Sequence, residues 1–112
     1  MDDRVIIVEG KTDKLRLKQV LAEPVDIVCT YGTLSLAKLD QFILSLQDRE
    51  VYVITDADFS GNKLRRQLKQ ELPNAKHLYT RTMYGQVANT PLEYLAKLLG
   101  DAHFSVKEEF LK

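Results

Sequence analysis

The sequence predicts an α/β protein in which helices flank a mainly parallel central sheet of about four strands. Short apolar runs rich in β-branched residues alternate with longer segments of helical periodicity, which is typical of βαβ units. Twice, a strand-like run breaks off at a carboxylate, followed by a glycine and a polar helix start, first over Val5 to Asp13 and again over Val51 to Gly61. Because the carboxyl ends of parallel strands meet at one edge, both breaks should lie at the same edge of the sheet.

Four strands are predicted where apolar runs are bounded by polar or turn-forming residues. In chain order they are Val5 to Val8, Val25 to Thr30, Val51 to Thr55 and Lys76 to Thr80. Cys29, the only cysteine, lies in the second strand. It has no partner for a disulfide or a cysteine metal site, so we expect it to behave as a small buried hydrophobic residue.

The first two helices are predicted from apolar residues that recur at helical spacing. The apolar residues between Leu15 and Leu21 fit a short helix that ends before Pro24, and those between Leu34 and Leu46 fit a second. The second has the most regular amphipathic pattern in the chain. Both connect consecutive predicted strands, as crossover helices of a parallel sheet do.

The remaining two helices follow the third and fourth strands. The third starts at Ser60 or Gly61, and its evenly spaced leucines leave a basic outer face formed by Lys63, Arg65, Arg66 and Lys69. The fourth, from Leu92 to Leu99, is predicted to begin with a capping box of Thr90 and Glu93 and to end at Gly100. Residues 81–89 between them have no clear period and are predicted to form a loop.

Length and composition fit one globular domain. Of the 112 residues, 45% are hydrophobic and 29% charged, and sixteen acidic residues balance sixteen basic ones. We expect a single domain over residues 1–112, with a folded core at about 5–99 and a charged tail at 105–112 that frays. The zero net charge argues against strong non-specific attraction of the whole chain to nucleic acid, but it is compatible with a local basic face. No apolar run could cross a bilayer and the first residues do not resemble a secretion signal, so we expect no membrane association and a cytoplasmic location.

Carboxylates stand at the ends of the first and third predicted strands. Glu9 follows the first, and Asp56 and Asp58 follow the third. Mg²⁺ takes about six oxygen ligands and is usually held by one or two carboxylates together with water and phosphate oxygens. Without a cation, three clustered carboxylates would repel one another. We therefore expect Glu9, Asp56 and Asp58 to meet around one divalent cation, and we interpret Asp13 as a helix-start residue.

These motifs resemble the Toprim domain shared by DnaG-type primases, topoisomerases and certain small nucleases. One apolar strand leads into Glu-Gly-Lys-x-Asp at residues 9–13, and a later one leads into Asp-x-Asp-x-x-Gly at residues 56–61. The runs from Asp56 to Arg65 and from Pro73 to His77 extend the similarity to the bacterial ribonucleases that mature ribosomal RNA precursors. The resemblance covers about residues 5–99 and implies a three-layer, Rossmann-like Toprim fold.

The resemblance also implies roles for the matching acids and for Lys11. Glu9 would be a metal ligand or a general acid or base, and Asp56 and Asp58 would hold Mg²⁺ or Mn²⁺. Lys11 would face substrate phosphate, although a solvated lysine in the first turn of a helix explains it equally well. The ribonucleases have a further C-terminal domain that helps dock structured RNA, and this sequence ends where that domain would begin. The metal site is therefore the stronger expectation, and ribosomal RNA maturation the weaker one.

Three glycines also match the family pattern. The resemblance implies that Gly10 and Gly61 let backbone N–H groups approach phosphate closely. Gly32 matches a glycine that family members place after the second strand, although a plain turn would explain it equally well.

The leading hypothesis is a stand-alone nuclease-like hydrolase that cleaves or transfers phosphodiester bonds in RNA or DNA with the help of Mg²⁺. Its basic helix, with Lys63, Arg65, Arg66 and Lys69, would contact backbone phosphates. The alternative is a metal-dependent nucleic-acid-binding module or subunit whose protein partner performs the chemistry. A remote alternative is a receiver-type phosphoacceptor domain, but this requires a lysine near the acids and Lys76 lies at the wrong end of its strand.

Overall fold

A sheet of four parallel strands organises the structure. The computed structural model describes residues 3–31 and 35–111, so two residues singled out in the sequence, Gly32 and Leu34, lie outside the described residues. The strands are β1 (Arg4–Val8), β2 (Asp26–Cys29), β3 (Glu50–Ile54) and β4 (Lys76–Leu78), in the spatial order β2-β1-β3-β4. The predicted α/β class with a parallel sheet is confirmed, and the strand ends lie within one or two residues of the predicted ones.

Helices cover both faces of the sheet. They are α1 (Lys11–Val20), α2 (Leu36–Leu46), α3 (Phe59–Glu71) and α4 (Leu92–Asp101). Successive residues of a strand point to opposite faces. In β1, Ile6 and Val8 therefore pack against α1 and α4, whereas Val5 and Ile7 pack against α2 and α3. All four are fully buried, which explains why the strand is a continuous apolar run. Among the described residues, none of the helices is both long and apolar enough to cross a membrane.

The helix α4 begins at Leu92 as predicted, but its N-terminal cap and its end differ from the prediction. Pro91 is the N-cap and no side-chain hydrogen bond caps the helix. The buried Thr90 hydroxyl instead donates to the Gln86 carbonyl at 3.0 Å, so the predicted capping box does not form. The helix also continues through Gly100 to Asp101. Gly100 does not have the positive φ with which a glycine commonly ends a helix. The presence of a glycine was therefore not sufficient to locate the end of α4.

Two segments predicted to be irregular pack against the core. Residues 81–89 contain two short 3-10 turns, Thr82–Tyr84 and Val87–Asn89, and the Val87 side chain is buried beneath them. The chain end, predicted to fray, is instead anchored. Val106 forms an antiparallel bridge with Leu21, and Phe110 packs against the core on the α1 and α4 face. The charged neighbours of these two apolar residues gave no sign in the sequence that they would pack in this way.

Candidate functional site

The carboxyl ends of β1 and β3 bring Glu9 and Asp56 into direct contact. The two strands are neighbours in the sheet. The Asp56 backbone N–H donates to Glu9 Oε1 at 2.8 Å, and both residues are partly buried. The sequence-based expectation that both acids lie at one edge of the sheet agrees with this contact.

Asp56 also fixes the segment that follows β4. Its Oδ1 accepts a hydrogen bond from the Val87 backbone N–H at 2.7 Å. One residue further on, the Ala57 backbone N–H donates to the Gly85 carbonyl at 2.8 Å. Residues 81–89 therefore form one wall of the site. No sequence signal marked Val87 for this role, because it takes part through its backbone rather than its side chain.

Asp58 is the N-cap of α3. Its Oδ1 accepts from the Gly61 backbone N–H at 2.7 Å, and α3 begins at Phe59 rather than at Ser60 or Gly61 as predicted. The correction has a clear physical reason, because an aspartate at this position satisfies an N–H group of the first turn and faces the positive end of the helix. Asp58 is exposed, and a role in holding a cation stays a prediction beside this observed structural role.

Asp13 is a fourth acid at this edge. Its Oδ2 accepts from the Gly10 backbone N–H at 3.1 Å, which agrees with its interpretation as a helix-start residue. The side chain is nevertheless buried, with 8% of its surface exposed. Burial raises the pKa of Asp13, and the negative charge of Asp56 raises it further. Asp13 is therefore electrostatically coupled to the predicted site, which the sequence did not indicate.

Burial also raises the pKa of the Glu9 carboxyl, and the hydrogen bond from the Asp56 backbone opposes part of that rise. The charges of three nearby aspartates, Asp56, Asp58 and Asp13, raise it further. Glu9 is thus more easily protonated than an exposed glutamate. A positive charge placed among these acids would relieve their mutual repulsion.

The three predicted ligands share an edge without converging on one point. Among residues 3–31 and 35–111, no three acidic, histidine or cysteine side chains come together in a group that could hold a metal ion. That Glu9, Asp56 and Asp58 meet around one divalent cation stays a prediction, and in this structure a backbone N–H group fixes one oxygen of each. The second oxygen of each carboxylate has no hydrogen bond within the described part of the protein. Mg²⁺ needs only one or two carboxylates when water and phosphate oxygens complete its shell, so the donor set fits it.

The two glycines of the motifs have structural roles. The Gly10 N–H is donated to Asp13 and the Gly61 N–H to Asp58, so neither points freely at a ligand as the resemblance implied. Gly61 is buried, and a Cβ atom added there would lie 2.1 Å from the Asp56 carbonyl oxygen. Glycine at position 61 is therefore required for close approach to the backbone of Asp56.

The predicted basic residues separate into an exposed group and one buried residue. Lys11, the first residue of α1, is exposed, as are three residues of α3: Lys63, Arg66 and Lys69. Arg65 is only 4% exposed. The prediction that Arg65 belongs to the basic outer face is wrong, because its side chain turns inward toward the sheet.

Arg65 fastens α3 to the last two strands. Its guanidinium donates to the Leu78 carbonyl at 2.7 Å and to the Val53 carbonyl at 3.4 Å. It also lies 3.1 Å from His77 Nδ1, and its Cζ is 4.1 Å from the centre of the Tyr79 ring. A single buried side chain thus supplies donors to both β3 and β4 next to the site.

We expect Arg65→Met to lower the free energy of unfolding by about 3 kcal/mol, because buried carbonyl oxygens would lose their donors. Arg66→Met removes the same charge from the exposed side of the same helix and should change stability by less than about 0.5 kcal/mol. Urea unfolding of both variants measures the difference. Equal stabilities would show that the Arg65 contacts contribute nothing.

The pKa of His77 is lowered from 6.5 to about 4 by burial and by the positive charges of Arg65 and Lys69. As the pH falls below about 6.5, His77 becomes protonated in the unfolded chain but stays neutral in the folded protein. The unfolded state is therefore favoured and stability is lost. Allowing for partial exposure, we expect wild type to be less stable at about pH 5 than at about pH 7 by about 1 kcal/mol through this group.

His77→Gln isolates this effect, since glutamine does not titrate but can still accept from Arg65. The pH dependence of urea unfolding should be flatter in His77→Gln than in wild type, whereas His103→Gln, which changes an exposed histidine, should follow wild type. Parallel profiles for all three proteins would contradict the assignment to His77.

The chain matches the family model described as the Toprim domain over residues 4–84. It is 44% identical over 110 residues to the uncharacterized protein YusF of Bacillus subtilis (strain 168), a match covering 98% of this chain and 75% of that protein. It is 36% identical over 76 residues to ribonuclease M5 of the same strain, covering 67% of this chain and 40% of the ribonuclease. The chain thus spans well under half of ribonuclease M5. A solved structure of a small TOPRIM domain protein from Bacillus stearothermophilus superposes with a TM-score of 0.95 at 46% identity, covering 100% of this chain and 95% of that one.

Proposed function

Because this chain belongs to the Toprim domain family, we propose that it hydrolyses or transfers phosphodiester bonds in nucleic acid with Mg²⁺ or Mn²⁺ as its cofactor. The observation that carries the proposal is the contact between the Asp56 backbone and the Glu9 carboxylate, which joins two strand ends into one acidic edge. Similarity to ribonuclease M5, a ribonuclease by name, supports nucleic acid as the substrate class.

Each acid has a separate part in the proposed reaction. A divalent cation bound here polarises a phosphate oxygen and makes water more acidic. Asp56 and Asp58 would hold it through the oxygens that make no protein hydrogen bond. Glu9, whose pKa is raised by burial, would complete the ligand set or accept the proton that the attacking water loses.

Exposed lysine and arginine side chains would position the substrate. Lys11 opens α1 next to Glu9 and Gly10, where a positive charge would face the substrate phosphate. Lys63, Arg66 and Lys69 lie on the exposed side of α3 and would contact phosphates further along the strand. Such contacts set the register of the substrate without reading its sequence.

The direct test is incubation of the purified protein with labelled RNA and DNA in Mg²⁺, in Mn²⁺ and in EDTA. Cleavage should require a divalent cation. Glu9→Gln, purified in parallel, is the matched control because glutamine keeps an oxygen that can accept from the Asp56 N–H. Equal cleavage by wild type and Glu9→Gln would point to a contaminating nuclease and contradict the proposal.

One observation favours a second candidate, a metal-dependent nucleic-acid-binding module that supplies substrate to a partner enzyme. Asp58 caps α3 and Asp56 anchors residues 81–89, so both acids have structural reasons to be present without catalysis. This candidate predicts Mg²⁺-dependent binding without turnover, together with a protein partner in pull-down experiments. The receiver-type interpretation requires a lysine near the acids. Lys76 instead forms an ion pair with Glu50, at 2.9 Å, at the opposite edge of the sheet.

A further inference from the structure

Large apolar side chains are exposed around the acidic edge. Of the seven large hydrophobic residues that are exposed in the described part of the chain, four follow the carboxyl end of a strand. This apolar rim consists of Tyr31, Phe59, Tyr79 and Met83. Single exposed apolar residues are common on protein surfaces, but a group that borders a polar site marks an interaction surface.

Two members of the rim are held next to the acids by the backbone. The Tyr31 backbone N–H donates to the Glu9 carbonyl at 2.7 Å, and its side chain is 76% exposed. Phe59 directly follows Asp58, opens α3 and is 78% exposed. Neither ring is needed by the core, since both lie largely in solvent.

Tyr31 also has a strained backbone. Its φ is +56°, in the left-handed region, where a non-glycine residue costs roughly 1–2 kcal/mol. Strained residues cluster at functional sites, and two further non-glycine residues with positive φ, Asp48 before β3 and His103 after α4, occupy turns. The strain and the exposure together place a costly aromatic residue beside Glu9.

On the exposed side of α3, Phe59 is followed by positively charged side chains. Residues at i, i+4 and i+7 lie on one side of a helix, so Phe59, Lys63 and Arg66 line up along the exposed side of α3. At the far end of the helix, Lys69 Nζ lies 6.0 Å from the centre of the half-exposed Tyr79 ring. From Phe59 to Lys69 the helix rises about 15 Å, so aromatic and cationic groups follow one another over the length of several nucleotides.

This alternation of rings and cations is the arrangement that binds single-stranded nucleic acid, where bases stack on aromatic side chains and phosphates contact lysine and arginine. In a duplex the faces of the bases are already stacked on one another and are closed to side chains. We propose that Phe59 and Tyr31 stack on unpaired bases next to the scissile phosphate, so that the substrate is a single-stranded segment of RNA or DNA. This inference rests on the proposed function and specifies its substrate class.

The test measures binding in EDTA by fluorescence anisotropy, so that no cleavage occurs. The probes are a short labelled oligonucleotide, as RNA and as DNA, the same strand annealed to its complement, and an abasic version of it. Phe59→Ala should weaken single-strand binding about tenfold, because stacking of a base contributes that much. Phe59→Trp should bind like wild type. Leu44→Ala, which removes another largely exposed apolar side chain, from α2, should also bind like wild type.

Two further comparisons identify stacking as the cause. Wild type should bind the single strand more tightly than the duplex, and the abasic probe should bind wild type and Phe59→Ala equally. Unchanged single-strand affinity in Phe59→Ala, or preference of wild type for the duplex, would overturn the inference and assign the rim to a protein interface or another ligand.

The same experiments separate this inference from the proposed function. Single-strand binding that depends on Phe59, without any cleavage in Mg²⁺ or Mn²⁺, would refute hydrolysis and support stacking. Cleavage that Glu9→Gln abolishes, combined with equal single-strand binding by wild type and Phe59→Ala, would support hydrolysis and refute stacking.

Discussion

Asp56→Asn should reduce the rate of phosphodiester cleavage by about a thousandfold or more and leave the fold intact. Asparagine removes the negative charge that would face a divalent cation, and a bound cation contributes several kcal/mol of transition-state stabilisation. The amide oxygen can still accept from the Val87 N–H, which in wild type lies 2.7 Å from Asp56 Oδ1. Loss of activity would therefore report loss of charge rather than displacement of residues 81–89.

Asp56→Ala is the informative companion, because it removes both the charge and the acceptor for Val87. We expect Asp56→Ala to be about as inactive as Asp56→Asn and also less stable by about 1–2 kcal/mol. Single-turnover cleavage rates and urea unfolding separate the two effects. Full activity in Asp56→Asn would exclude this carboxylate from the reaction.

Gly61→Ala should be strongly destabilising, although alanine is the better helix former by about 1 kcal/mol. The added Cβ would lie 2.1 Å from the Asp56 carbonyl oxygen and 3.0 Å from its carbon. These are backbone atoms at the end of β3, so no flexible side chain can move away. We expect a loss of about 3 kcal/mol in the free energy of unfolding, because overpacking of this kind requires backbone shifts. Denaturant unfolding measures the loss.

Gly100→Ala is a matched control in α4, where the added Cβ would lie 3.8 Å from the nearest atom, Val106 Cγ2. That is an ordinary contact, so alanine should stabilise the protein by about 0.5 kcal/mol through lower chain entropy. If Gly61→Ala were also neutral or stabilising, the turn between β3 and α3 would be looser than the structure indicates. Activity would follow stability in Gly61→Ala, because the same turn carries Asp56 and Asp58.

The hydrophobic period and the positions of the four strands along the chain were accessible from the sequence. Runs such as Val5 to Val8 are apolar throughout because a central parallel strand is buried on both faces. The match of motifs at residues 9–13 and 56–61 was sufficient to indicate the Toprim family, which the family match over residues 4–84 and the superposition at a TM-score of 0.95 confirm. The position of Glu9 and Asp56 at a common edge followed from the parallel sheet alone.

Individual side-chain roles were decided by tertiary contacts. Arg65 and Arg66 are adjacent and chemically identical in the sequence, but only Arg65 reaches the carbonyls of β3 and β4. In the sequence, Asp58 and Asp13 each stand both at the start of a helix and beside the predicted site. The structure shows that one oxygen of Asp58 accepts from the Gly61 N–H and one oxygen of Asp13 accepts from the Gly10 N–H. The sequence shows that an aspartate or glutamate carries a negative charge, but it does not show which hydrogen-bond donor its carboxylate contacts.

The sequence by itself determined the fold class, the family and the edge at which the acids lie, because local residue order sets the burial pattern and helical crossovers make the strands parallel. Only the tertiary structure decided that a backbone N–H group occupies one oxygen of each acid, that Gly61 is needed for packing, and that an apolar rim borders the site. These depend on distances between atoms far apart in the chain. Such distances are fixed only when the strands and helices are packed together.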